Sequence, residues 1–228
     1  MGTDILIFAA ASLTDPFREI GTSFHAANPS VNVRFNFGPS DGLATQIGEG
    51  APADVFASAS SRWMDAVADD PGVSDRTTFA RNRLVVLVPS ANPAGIERFE
   101  DLTNAGVKLV LAAEGVPVGG YAREALAKAG LLERALRNVV SNEEDVKGVV
   151  QRVLLDEADA GIAYQTDLTA AVRDRVRAIS IPDAWNVVAP YPVAVLASTA
   201  HRAQARAFVA FVLGAGREIL SRYGFAEP

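Results

Sequence analysis

Apolar residues along this chain switch repeatedly between a period of two and a period near 3.6, so strand-like runs alternate with helix-like ones. "DILIFAA" (4–10) reads as a strand, and Phe17, Ile20, Phe24 and Ala27 then recur at near-helical spacing, with Pro16 acceptable only in a first turn. "VNVRFNF" (31–37) alternates cleanly, and a Gly-Pro-Ser-Asp-Gly turn leads into "LATQIGEG", a short helix closed by glycine. "ADVFASAS" (53–60) predicts a third strand, followed by a helix with Trp63, Met64 and Val67. "RLVVLVPS" (83–90) predicts a buried strand, and "VKLVLAAEG" (107–115) another that ends in a Gly-Val-Pro-Val-Gly-Gly turn. Ala122, Ala125, Leu126 and Ala129 then mark one face of a helix stopped by Gly130. In "SNEEDVKGVVQRVLLDE" (141–157) the residues Val146, Val149, Val150, Val153 and Leu154 predict an amphipathic helix with an acidic first turn. "DAGIAYQTD" (159–167), "VRAISIP" (176–182) and "NVVAPYPVAVLAS" (186–198) read as strands. A helix with Phe208, Val209, Val212 and Leu213 and a short one after Gly214 close the chain.

This alternation predicts an α/β protein with mostly parallel sheets. No low-complexity linker divides it, and no internal repeat is visible. Two α/β lobes fit the order of elements: a discontinuous first lobe of residues 1–82 and 192–228, and a second of 83–191. "RNRLVV" and "APYPVAV" are then the two crossovers, and a pair of crossing strands makes a plausible hinge for a closing motion.

Charge and cysteine usage remove several classes of function. With 21 basic and 27 acidic residues the net charge is −6, which argues against a nucleic-acid partner. Cysteine is absent, so disulfides, thiolate metal sites and cysteine nucleophiles are excluded together. No run of about 18 apolar residues predicts a membrane span. Met1-Gly2-Thr3-Asp4 leads straight into strand-like sequence without an export-signal pattern. That is compatible with a cytoplasmic protein, or with a chain whose export segment has been removed.

Open α/β sheets present ligands at the ends of their strands. Here those ends are small turns with free backbone N–H groups and occasional hydroxyls: Ser12 after the first strand, Ser40 after the second, and Val118 and Val146 at two helix starts. The first turn of a helix has unpaired N–H donors and a partial positive charge, so it binds an anion without a cationic side chain. Read from its own stretch alone, Ser12 is equally a cap for the helix that follows, and Tyr164 a core tyrosine at a strand end. Catalysis has little to work with. His25 and His201 read as solvated residues, Asp54 and Asp159 are single acids at strand starts, and no G-x-S-x-G elbow, phosphate loop or dinucleotide fingerprint is present.

The segments "AAASLTDPFREI", "FNFGPSDGLATQIGEGAPADVFASAS", "VPVGGYAREAL", "EDVKGVVQRV", "DAGIAYQTD", "YPVAVL" and "RYGF" together resemble the substrate-binding proteins of molybdate ABC importers, in order from about residue 4 to 225. The resemblance implies a type II periplasmic-binding-protein fold: two α/β lobes, a two-strand hinge, and a tetrahedral oxyanion in the cleft. It implies molybdate or tungstate as ligand, no catalysis, no cofactor and no metal-cation ligands. The implied oxyanion donors are the hydroxyls of Ser12 and Ser40, the backbone N–H groups of Val118 and Val146, and the hydroxyl of Tyr164. A membrane permease is the implied partner of a monomer, periplasmic or otherwise extracytoplasmic, whether free or lipid-anchored.

Two departures from the family's pattern stand beside those donors. Asp41 follows Ser40 where many members of the family carry a second serine or a small residue, and it is expected to point outward as a turn aspartate. Val118 replaces a smaller residue, which is harmless if only its N–H is used. Glu143, Glu144 and Asp145 crowd the start of the helix at Val146 and are expected to face solvent. Alternatives are the same fold with another oxyanion such as sulfate, and a cytoplasmic ligand-sensing or enzymatic domain.

Overall fold

The computed structural model describes residues 2–228. In chain order the elements are β1 (Thr3–Ala10), α1 (Thr14–Ala27), β2 (Val31–Gly38), α2 (Ser40–Gly48), β3 (Val55–Ala57), α3 (Ser61–Asp69) and β4 (Val73–Pro89). Then come β5 (Leu109–Ala112), α4 (Pro117–Lys128), α5 (Leu132–Leu136), β6 (Val139–Glu143), α6 (Val146–Leu154), β7 (Ala160–Tyr164) and β8 (Val176–Ser180). The chain ends with β9 (Val188–Leu196), α7 (Arg202–Leu213) and α8 (Gly216–Arg222). It divides into two compact units: the residues up to Arg81 with Pro190–Pro228, and Asn82–Ala189. β4 and β9 each run across the division.

In the first unit the strand order is β2-β1-β3-β9, with β1 parallel to both β2 and β3 and β9 antiparallel to β3. The apolar stripe of α1, Phe17, Ile20 and Phe24, is fully buried. Phe17 packs on Phe79 with ring centroids 5.7 Å apart, and Phe24 meets Phe208 of α7 edge-on at 5.4 Å. A separate cluster of Phe8, Leu43, Ile47, Phe56, Met64 and Val67 joins β1 and β3 to α2 and α3. Alternating residues of the strands therefore feed two apolar layers.

The second unit pairs β4 with β8 and β7 on either side, both antiparallel, and continues through β7 to β5 and β6 in parallel. Val146, Val149, Val150 and Val153 of α6 are buried, as the spacing predicts. Gly161 of β7 allows that helix to come close. A Cβ there would lie 2.8 Å from Val149 Cγ1 and 3.0 Å from Val110 Cγ1.

Three expectations change. β4 begins at Val73, ten residues before the predicted strand, because its charged first half (Asp75, Arg76, Arg81) hides an extended segment whose burial rises only from Phe79. Residues 141–143 are not helical. They belong to β6, which pairs with β5 up to Ala112↔Glu143, and the helix starts at Val146 with Asp145 as its cap. β3 is only three residues long, since Ser58 and Ser60 turn the chain away by bonding each other.

Candidate functional site

Parallel register brings the strand ends of the first unit to one edge. Ala10 pairs with Gly38, and Ala9 with Ala57, so the turns after β1, β2 and β3 lie side by side. Ser12 occupies the 3-10 turn Ala11–Leu13. It does not cap α1, whose N-cap position is Leu13 and has no side-chain bond. Its Oγ instead lies 2.9 Å from the hydroxyl of Tyr191, a fully buried residue of β9. Ser40 opens α2 and is 1% exposed, and its Oγ accepts a hydrogen bond from the Ala59 amide at 3.1 Å. A hydroxyl that accepts through one lone pair keeps its proton to donate.

Asp41 differs from expectation. It is half-buried rather than turned to solvent, and its Oδ1 is shut off from solvent with no hydrogen-bond partner. The physical reason is its place at the second position of α2, where the helix dipole favours a carboxylate.

The second unit repeats the device. Ala112 of β5 pairs with Glu143 of β6, and β7 runs parallel to β5 through Leu109↔Ala160 and Val110↔Gly161, so β7 reaches Tyr164 at the same edge. Pro117 is the first residue of α4 and Val118 the second, a position whose N–H has no acceptor inside the helix. Gly119 lets that turn sit against β5: an added Cβ would lie 2.1 Å from the Ala113 carbonyl oxygen and 2.4 Å from that of Ala112. Val146 is the first residue of α6, and the Asp145 carboxylate accepts from the Gly148 amide at 2.9 Å. Tyr164 is 2% exposed, and its amide donates to Asp167 Oδ2 at 2.9 Å.

The acidic residues before α6 do not all face solvent as expected. Glu144 is exposed. Glu143 accepts from Ser141 Oγ at 2.6 Å and from Arg152 Nε at 3.0 Å, and Asp145 is engaged as the cap. The ion pair with Arg152 offsets the charge of Glu143, while the Asp145 cap sets its own carboxylate on an N–H group of the helix start. Burial pushes the Arg123 guanidinium of α4 below its ordinary value, opposed by nearby Glu114.

The structure therefore places Ser12 and Ser40 on one edge of the first unit, and Val118, Val146 and Tyr164 on one edge of the second. Sequence reading missed Tyr191 and the Ala59 amide. A tyrosine inside a fully apolar strand was the available signal, because a buried phenol needs a partner. His25 is exposed, as expected, and its Nδ1 donates to the Val31 carbonyl at 2.8 Å. His201 is half-buried instead, 3.3 Å from Asp54, a buried carboxylate that also accepts from the Leu6 amide and Thr199. This cluster secures the segment before α7 to β1 and β3. Among the described residues, no group of three or more His, Cys, Asp or Glu could hold a metal ion, and no helix is long and apolar enough to cross a membrane.

Residues 5–226 match the sequence family described as bacterial extracellular solute-binding proteins. The molybdate-binding protein ModA of Mycobacterium tuberculosis is 42% identical over 226 residues, covering 98% of this chain and 85% of the relative. Among solved structures, the Azotobacter vinelandii periplasmic molybdate-binding protein superposes with a TM-score of 0.85 at 21% identity, covering 98% of this chain and 99% of that one. The sulfate-binding protein SubI of Mycobacterium tuberculosis gives 0.86 at 17% identity, covering 99% and 87%. These two likenesses show the fold, that of type II periplasmic binding proteins. With nearly its whole length matched at both levels, the chain belongs to the bacterial extracellular solute-binding proteins and, among them, to the ModA family.

Proposed function

We propose that this protein is the substrate-binding component of an ABC importer, taking up molybdate, and tungstate with it, and delivering the anion to a membrane permease. The observation that carries the reading is the pair of donor edges. Each unit aligns its strand ends so that the turns carrying neutral hydroxyls and helix-start amides lie along one edge, within a chain 42% identical to the ModA of Mycobacterium tuberculosis. The donors would be Ser12 and Ser40 from the first unit, with Val118, Val146 and Tyr164 from the second. The protein performs no chemistry on its ligand and works outside the cytoplasm.

A dianion removed from water needs every oxygen hydrogen-bonded, since an unmet one costs about 1–3 kcal/mol or more. Donors to a charged acceptor contribute about 1.5–3 kcal/mol each, so five to seven suffice for sub-micromolar capture, which requires about −8 kcal/mol. A set made only of donors also discriminates. Hydrogenphosphate would bring an O–H without an acceptor, and sulfate is too small for donors spaced for molybdate.

A second reading rests on Asp41, whose buried Oδ1 is an acceptor one residue from Ser40. Such an acceptor suits a protonated oxyanion. Titration calorimetry with molybdate, tungstate, sulfate and phosphate separates the two. Tight binding of the first two, with sulfate far weaker and phosphate silent, is expected. Phosphate binding that is lost in Asp41→Ala favours the second reading, and no heat with any of the four overturns both.

A further inference from the structure

Arg123 stands where the segments carrying the second unit's donors meet. From the second turn of α4 its Nη1 donates to the carbonyl oxygen of Ala112, the last residue of β5, and to that of Gly119 in the first turn of α4, both at 2.9 Å. Its Nη2 donates to Asn142 Oδ1 in β6 at 2.7 Å. One planar fork thus joins the end of β5, the start of α4 and the strand leading into α6. Val118 directly precedes Gly119, and Val146 follows Asn142 by four residues. Gly119 leaves no slack at the first joint, because α4 already touches the backbone of Ala112 and Ala113.

Resting on the reading that the Val118 and Val146 amides serve one oxyanion, we infer that Arg123 is a positioning residue that sets the separation of those two N–H groups, and so the anion size they accept. A guanidinium holds this geometry because its donors are fixed in one plane and it stays charged when partly buried. Hydrogen bonds weaken steeply with distance and misalignment. A small drift between the starts of α4 and α6 therefore harms the fit to molybdate, while it relaxes the exclusion of smaller sulfate.

The test compares the wild type with Arg123→Met, Arg123→Lys and Asn142→Ala by calorimetry with molybdate and by sulfate competition, with the melting temperature of each unliganded protein. Arg123→Met should lose about 10-fold in molybdate affinity, the scale seen when supporting residues around a ligand set are removed. Its molybdate-to-sulfate ratio should fall with it. Arg123→Lys should not rescue the ratio, since an ammonium cannot reproduce the fork, and Asn142→Ala should shift the ratio less, in the same direction. Equal losses for both anions, or a lysine variant that restores the wild-type ratio, would overturn the inference in favour of simple charge or stability. Should Arg123→Met fail to fold, an unchanged ratio in Asn142→Ala overturns it equally. A wild type that ignores molybdate is a different result: it removes the proposed function, and this inference falls with it.

Discussion

A single hydroxyl shows how little of a donor's role lies in its own identity. The Ala59 amide occupies one lone pair of the Ser40 hydroxyl and leaves its proton to donate, and Ser12 is drawn to Tyr191 instead of to a helix end. The capping reading of Ser12 was reasonable from composition, yet the turn places Leu13 at the cap and Ser12 one residue outside it. Ser12→Ala and Tyr164→Phe should each weaken molybdate binding by about 1–3 kcal/mol without unfolding the protein. Calorimetry on both variants checks this, and wild-type affinity in both removes these hydroxyls from the donor set.

For whole elements, the decisive feature is how closely a helix start approaches a strand end. Gly119 in α4 permits a contact that even a methyl group forbids. Gly119→Ala should therefore push α4 off β5, destabilise the unliganded protein by about 1–3 kcal/mol, and weaken molybdate binding as Val118 moves. Denaturant melts together with calorimetry measure both effects; unaltered stability and affinity would show the turn to be adaptable. The buried valines of α6 were legible because five apolar residues at helical spacing admit no other period. The start of α6 was not. Its acidic residues suit a helix N-terminus equally as first turn or as cap, and the parallel pairing of β6 with β5 decides that residues 141–143 are strand.

For the whole molecule, ligand and stability are linked. An anion that binds only the folded chain stabilises it by about 2.7 kcal/mol at a free concentration one hundred times its dissociation constant. For a chain of this length that corresponds to a rise of about 5–11 °C in melting temperature. The rise should grow with the logarithm of molybdate concentration, vanish on dialysis, and be absent with phosphate. A melting temperature indifferent to molybdate at millimolar levels would contradict the proposed function.

Most of the strands and helices, and the small, hydroxyl-bearing turns, were determined by the sequence alone. Each follows from local periodicity and residue chemistry, which need no partner elsewhere in the chain. Tertiary structure decided the rest. Strand register aligned the turns into edges, and β9 brought Tyr191 to Ser12 across 179 positions. Helix placement half-buried Asp41, and one arginine came to join three segments of the chain through two backbone carbonyls and one side-chain amide. Those outcomes depend on which residues distant in sequence become neighbours, and pairing and packing between elements create that neighbourhood.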